Sequence, residues 1–306
     1  RGNTLQYTST DGSDYCLTAT SSRTTTAYYI SSTTGIVAEA TTSNNCPGHP
    51  TGGSGNSGGS GGDGGTMQAF TPIQCSSLDI YTGSNSNAII TLTDSRGGTT
   101  QSYEVAKLAD NNCWMLNNLK LGSTSSSITL TPSDSNVGSN FTLPQLNNGS
   151  RSLIWEGAGN DFDTPYAYGP VPGDSNYGYL YNWSAATAGE SRTSHPAGAG
   201  NAPYSICPSG WRLPTGGDYN SGQGELADLD RAFGGSGMGQ SSGPSIAQWG
   251  PSGAFKGAFS GFWWEGFDDQ GSWGSLWSSS AYPDDSYSAF RAGFDADGVY
   301  PGGDSY

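Results

Sequence analysis

Positive charge is scarce in this chain. Its 306 residues hold 11 Lys and Arg against 26 Asp and Glu, a formal net charge of −15. Nucleic-acid backbones are bound by Lys and Arg that displace condensed counterions, so such a surface excludes nucleic acid, and equally anionic membrane, as a main partner. Histidine is nearly absent, with only His49 and His195. A three-histidine iron site is therefore beyond one chain, and a Ser-His-Asp triad would have to be built on one of these two. His49 adjoins a Gly/Ser tract and His195 sits in a Ser/Pro/Gly loop, surroundings that read as exposed rather than catalytic. No stretch approaches the ~18 consecutive apolar residues of a membrane helix, which speaks against direct insertion in this form. None of the five cysteines stands in a C-x-x-C, which argues against zinc and thioredoxin-type chemistry. The chain opens at Arg1-Gly-Asn-Thr4 with no signal peptide, which reads as a mature or trimmed form.

What is abundant is glycine (48 residues) and aromatic side chain (12 %). Disordered chains are poor in aromatics and rich in charge. The reverse composition here predicts a folded, loop-rich α+β protein, mostly β, kept soluble by Ser, Thr, Asn and Gly. Its acidity reads either as colloidal solubility or as cation binding at clustered Asp. Low charge and scattered cysteines suggest an extracellular, disulfide-bearing protein. With Cys16, Cys46, Cys75, Cys113 and Cys207 the count is odd, so one is a free thiol or has its partner beyond Tyr306.

In chain order, residues 1–50 read as a small β unit with strands over Leu5–Thr8, Tyr15–Thr18 and Ala27–Ile30 and a turn at Asp11-Gly12. A unit so small buries little surface. A Cys16–Cys46 bridge would close a loop of about 30 residues and add on the order of 3 kcal/mol. Residues 51–66 have the composition of a flexible Gly/Ser linker; a phosphate loop would need a Lys and a following helix, and neither is there. A main domain spans 67–306. It begins with a hairpin, Ile89–Thr93 turning at Asp94–Gly98 into Gln101–Leu108, across which Cys75 and Cys113 would pair. Asn117 and Asn118 would satisfy backbone groups where the following strand ends. A further short strand is predicted over Ser127–Thr131. Two helices are predicted, over about 180–188 and about 217–233. In the second, Leu226, Leu229 and Phe233 form the apolar stripe while Glu225, Asp228, Asp230 and Arg231 face solvent. Two aromatic-rich stretches, Tyr177–Phe233 and Gly261–Tyr282, should answer each other in the core. Trp211, Trp263, Trp264, Trp273 and Trp277 are assigned to that core, since indoles are costly to leave in water.

Tyr15-Cys16-Leu-Thr-Ala-Thr20, closed by Cys46-Pro-Gly-His49, resembles the globular tail of bacterial type IV pilins and pseudopilins. Four further pieces stand in order: Cys113-Trp-Met-Leu-Asn-Asn-Leu119, Tyr177-Gly-Tyr-Leu-Tyr-Asn-Trp183, Cys207-Pro-Ser-Gly-Trp-Arg-Leu-Pro-Thr215, and Gly261-Phe-Trp-Trp264 with Leu276-Trp-Ser-Ser-Ser280. Together they resemble the Fibrobacter succinogenes major paralogous domain, a family of bacterial surface proteins, over about residues 67–306. That family is similar in fold to C-type lectins and to the formylglycine-generating enzyme. The resemblance implies a C-type-lectin-like domain with two helices and a small twisted antiparallel sheet under long loops. It also implies a last strand, missing here, whose Cys would pair with Cys207. The enzyme's late cysteine pair has no counterpart after Cys207, so its activity is not carried over. Some members of the wider fold are diversified by retroelements that rewrite Asn codons as Asp, Tyr, Ser, Gly or Ala. No Asn follows Asn220, and residues 282–306 are rich in those products. Targeted diversification and plain compositional bias both account for this.

The candidate ligand-binding residues are Tyr282, Asp284, Asp285, Tyr287, Phe290, Arg291, Phe294, Asp295, Asp297, Tyr300 and Tyr306. Tyr and Arg anchor interfaces, and small polar neighbours adapt around them. The plainer reading turns alternate aromatics such as Phe290 and Phe294 inward as strand residues. Calcium would need six to eight oxygens, drawn from Asp284, Asp285, Asp295, Asp297 and Asp304. The sugar-lectin calcium signatures are absent and Asp295-Ala-Asp297-Gly298 is only a fragment of an EF-hand loop, so no metal or other cofactor is expected. The expected function is adhesion or recognition at a cell surface, directed at a protein or glycan ligand, with pilus partners. The alternative is a structural one, a homopolymer forming an extracellular filament. A formylglycine-generating type of enzyme comes third.

Overall fold

A computed structural model describes residues 4–9, 14–20, 25–31, 37–40, 63–147, 164–190, 201–263, 266–282 and 288–305, the first four of these segments as backbone only. The chain divides into two compact units, Arg1–Gly58 and Gly59–Tyr306.

The smaller unit is an antiparallel meander of β1 (Thr4–Ser9), β2 (Asp14–Thr20), β3 (Thr25–Ser31) and β4 (Val37–Ala40), in that spatial order. The three strands read from β-branched and aromatic content are among them. β4, Val-Ala-Glu-Ala, carries too weak a strand signature to be read locally and pairs with β3 from Ala27↔Ala40 to Ile30↔Val37. The proposed Cys16–Cys46 bridge lies outside the described residues.

The larger unit is α+β, with four short α-helices and several small sheets among its described residues. Residues 63–66, read above as the end of the linker, form β5 (Asp63–Thr66), which runs parallel to β6 (Ile89–Asp94). β7 (Gln101–Lys107) and β8 (Cys113–Met115) complete that sheet in the order β5-β6-β7-β8. The β6–β7 hairpin is the predicted one: its turn is closed by the Gly98 N–H on the Ser95 carbonyl, and Gly97 and Gly98 take φ of +81° and +80°. Helix α1 (Pro72–Ser77) starts at a capping box made by Thr71 and Gln74, and its Cys75 is bonded to Cys113 of β8. Asn117 accepts the Glu104 N–H of β7, as expected of a strand-end asparagine, whereas Asn118 reaches far along the chain to the Tyr177 carbonyl and the Ser260 hydroxyl.

Three two-stranded ribbons follow: β9 (Ile128–Leu130) with β10 (Phe141–Leu143), β11 (Ala167–Tyr168) with β12 (Leu180–Tyr181), and β13 (Phe262–Trp263) with β14 (Phe267–Asp268). The last sheet is β15 (Gly274–Ala281), β16 (Ala289–Phe294) and β17 (Val299–Tyr300), with β18 (Asp304–Ser305) also on β16.

The helices are shorter than their periodicity suggests. The first predicted one is a single turn, α2 (Trp183–Ala186), capped by the Asn182 side chain on the Ala185 N–H. The second is α3 (Glu225–Ala232). It cannot start earlier, because Gly222 and Gly224 hold φ of +61° and +92°. Two expected solvent contacts on α3 are corrected. Asp230 is fully buried, accepting from the Gly237 N–H at 2.9 Å and from the hydroxyls of Ser241 and Ser245. Glu225 is half-buried, gripped by both outer nitrogens of Arg212 and by the Thr215 N–H. Arg212 thereby holds the Glu225 carboxyl below its ordinary value.

Helix α4 (Pro244–Trp249) has no local signature strong enough to predict it, yet it delivers the centre of the core. Trp249 is 0 % exposed and touches the rings of Phe233, Phe255 and Phe294. The stripe Leu226, Leu229 and Phe233 of α3 packs on this centre, as the spacing predicts. The two aromatic stretches do meet. The Trp183 indole N–H donates to the Ser278 carbonyl, and that of Trp277 to the Tyr181 carbonyl. Of the tryptophans assigned to core, Trp211, Trp263, Trp273 and Trp277 are only half-buried, and Trp264 lies outside the described residues.

Candidate functional site

The pleat of β16 sorts the candidate residues into two faces. Phe290, Ala292 and Phe294 point into the protein; Phe294 is 1 % exposed and stacks about Trp249, Phe255 and Phe259. Phe290 and Phe294 are therefore removed from the ligand-binding set. Burying them removes apolar surface from water, and no ligand reaches them without opening the core.

Arg291 and Gly293 take the other face. Gly293 lies opposite Tyr300 of β17 in the register, and opposite Ser275 of β15. An isolated glycine inside a strand marks a close approach. Here the approaching group is Trp273, which precedes β15: a Cβ on Gly293 would run into the Trp273 ring and the Arg291 guanidinium. The indole thus lies along the strand. Its ring centre is 5.7 Å from that of Tyr300, and the Arg291 guanidinium stands 5.5 Å from the indole. Arg291, Trp273 and Tyr300 are each half-exposed and form a continuous ledge on the outward side of the sheet.

The rim of the ledge is polar. Loss of hydration, then the charges of Asp295 and Asp297 and the phenol of Tyr219, push the Tyr300 hydroxyl above its usual value, so it stays protonated and works as both donor and acceptor. Asp295 is partly committed to its own turn, accepting the N–H groups of Asp297 and Gly298 at 2.7 Å each. Asp297 is exposed. Tyr219, in the loop before α3, is 39 % exposed and near enough for its phenol to act on Tyr300. Tyr282 stands at the other end of β16, edge-on to Phe290 with ring centres 5.2 Å apart. Asp284, Asp285, Tyr287 and Tyr306 lie outside the described residues, as do His49 and His195.

The expected ligand set is thus divided. Arg291, Tyr300, Asp295 and Asp297 come together, Phe290 and Phe294 go to the core, and Tyr282 sits apart. Trp273 and Tyr219 were missed. The glycine at 293, within an otherwise strand-like run, was the signal for Trp273; nothing local marks Tyr219. Among the described residues no three His, Cys, Asp or Glu side chains gather as a metal site, and no helix is long and apolar enough to cross a membrane. Cys207 is a free, half-buried thiol there, and loss of hydration pushes it above its ordinary value. No protein-family model, curated protein or solved structure matches the chain.

Proposed function

We propose that this is a cell-surface recognition protein whose larger unit, a variation on the C-type-lectin-like theme, holds a protein or glycan ligand against the Arg291–Trp273–Tyr300 ledge. The supporting observation is the ledge itself: three large side chains kept half in water on one face of a strand whose other face is buried to within a few per cent. Aromatic faces with polar tips gain from partial burial and keep a hydrogen-bonding end free, a combination enriched at binding surfaces. Association here works by shape, stacking and hydrogen bonds, without turnover of the ligand. The turn at 295–297 borders the ledge and would set specificity, with diversification of the stretch 282–306 as one source of variety. The smaller unit would connect the protein to a pilus-like filament outside the cell.

The test is binding of the purified chain to arrays of glycans and of purified surface proteins, alongside Trp273→Ala and Arg291→Ala. Each substitution is expected to weaken capture at least tenfold, with circular dichroism unchanged. Capture indifferent to both substitutions would remove the ledge from the function. Ordered fibres in negative stain, together with no ligand on either array, would replace this reading with a structural filament subunit.

A further inference from the structure

A second, separate place in the larger unit has the features of a small-molecule site. It is a polar cleft of about 160 Å³ between the end of the β6–β7 hairpin and the segment around Lys120, lined among others by Asp94, Arg96, Gln101, Tyr103, Lys120 and Tyr179. A cavity needs only about 10–15 Å³ of such space to admit a first water, so the cleft has room for several waters or one small organic molecule.

Its charge is unusual for this protein. Asp94 and Arg96 are both buried and neutralise one another: the guanidinium takes both carboxylate oxygens, with Nη2 at 2.8 Å from Oδ2. Lys120 is left over. Its ammonium has no hydrogen bond or ion pair among the described residues. The other described cations each hold a carboxylate, a carbonyl or a ring: Arg212 has Glu225, Arg231 has Asp228, Lys256 has Glu104, Lys107 the Ser76 carbonyl, and Arg291 the Trp273 indole. In a chain of net charge −15, one half-buried cation without a counter-charge at a cleft is a local exception.

The second observation is independent of the first. Tyr103 is 1 % exposed, and its phenolic oxygen accepts the Lys120 N–H at 3.0 Å. No acceptor among the described residues takes its own proton. Burial, reinforced by the charge of Asp94, raises this phenol well above its ordinary value, so it keeps that proton at any physiological pH. A buried donor without an acceptor costs free energy, so this hydroxyl at the cleft wall calls for a partner inside the cleft. The segment carrying Lys120 is also held in place: the Leu121 N–H donates to the Tyr181 hydroxyl, which donates to the Leu121 carbonyl, and the Tyr179 N–H donates to the Leu119 carbonyl. Lys120 and Tyr103 are thus presented to the cleft on a fixed frame.

We propose that this cleft binds the carboxylate of a small organic acid or of a single acidic sugar, with Lys120 supplying the charge and the Tyr103 hydroxyl a hydrogen bond. One net positive charge matches a monoanion. Sulfate or phosphate, carrying up to two charges, would leave negative charge uncompensated beside Asp94 in an already acidic protein. Gln101 and Tyr179 add polar side chains for the neutral part of the ligand.

The experiment titrates acetate, glucuronate, sulfate, phosphate and glucose into the full chain at pH 7 and constant ionic strength, followed by NMR shifts of the Lys120–Gly122 amides. Saturable shifts are expected with acetate and glucuronate, the latter tighter, and none with glucose. Lys120→Met should weaken glucuronate at least tenfold and Tyr103→Phe several-fold. Because the Lys120 ammonium supports no contact in the fold, Lys120→Met should unfold at the same urea concentration as the parent, which separates lost binding from lost structure. The proposal is overturned by glucose binding as well as glucuronate, by sulfate or phosphate binding better than either carboxylate, by no saturable shift with any carboxylate, or by unchanged affinity in Lys120→Met.

Discussion

Arg96 joins three distant parts of the chain, and its removal gives the sharpest test of how the larger unit is held together. The side chain is 3 % exposed. It grips Asp94 at the hairpin turn, the Ser135 hydroxyl at 2.7 Å and the Ile206 carbonyl at 2.8 Å. Arg96→Met keeps most of the apolar stem and deletes the charge. Asp94 would then be a buried carboxylate without its cation, keeping only the backbone N–H of residue 96 at 3.1 Å and the Gln68 side chain at 3.2 Å, and the Ile206 carbonyl would lose its donor. Breaking a buried pair from one side costs about 3–5 kcal/mol. The assay is urea unfolding followed by tryptophan fluorescence, which reports this unit specifically because all nine tryptophans lie within Gly59–Tyr306.

The deficit should depend on pH, with a definite sign. In the parent, burial alone would raise the Asp94 carboxyl, but the hydrogen bonds and charge of Arg96 outweigh it and hold it below its ordinary value. That pair therefore contributes its full stability above the unfolded carboxyl's pKa of about 3.9 and loses it as pH falls through the lower folded value. In Arg96→Met the charge and side-chain hydrogen bonds that opposed burial most are gone, leaving only the residue-96 N–H and Gln68 against it; the folded carboxyl then moves above the unfolded value, and protonation relieves the variant. The gap between the two proteins should narrow from pH 7 to pH 3. Adding Asp94→Leu to Arg96→Met should recover much of the loss at pH 7, since a buried pair replaced as a whole by apolar groups is close to neutral. A loss under about 1 kcal/mol at pH 7, or an equal loss at both pH values, would refute the account of Arg96 as a buried electrostatic hub.

Three further outcomes follow from the packing. Trp249→Ala should destabilise the larger unit by about 3–5 kcal/mol; Trp249→Phe should cost much less, because the buried indole N–H has no acceptor to lose, and urea midpoints of the two variants decide it. Replacing Cys75 and Cys113 together by Ser opens a loop with a sequence separation of 38; the chain-entropy relation puts the loss at about 4 kcal/mol, read as the shift in the same unfolding curve. Gly293→Val should push the Trp273 ring off β16, at about 1–3 kcal/mol for overpacking, with a red-shifted tryptophan emission and weaker ligand capture; unchanged emission and capture would show that the indole does not lie where the ledge requires it.

The boundary between local and distant information can be followed residue by residue. The β6–β7 hairpin was legible because Asp94-Ser-Arg-Gly-Gly98 holds its own turn chemistry and the flanking residues alternate. The pairing of Cys75 with Cys113 was legible because the hairpin brings those positions to one side. The apolar stripe of α3 was legible from spacing, but its start was not, since the glycines that delay it and the Thr215 and Arg212 groups that bind Glu225 precede the periodic run. Asp230 reads as a surface residue by every local rule. Its three donors come from residues 237–245, and only the fold of that loop makes it a buried acceptor.

The candidate site shows the same division. Composition alone set the chemistry available to it: few cations, two histidines, many aromatics among Gly, Ser and Asp, hence recognition in preference to catalysis as the expectation. Strand alternation determined that Phe290 and Phe294 share a face and that Arg291 and Gly293 share the other, but a period of two does not say which face is wet. The tertiary structure decided that. Trp249, contributed by a helix without a local signature, fills the space behind Phe294, and Trp273 comes from outside the strand to lie on Gly293. Both contacts join residues far apart in sequence, whose energies depend on volumes and positions that no local pattern encodes.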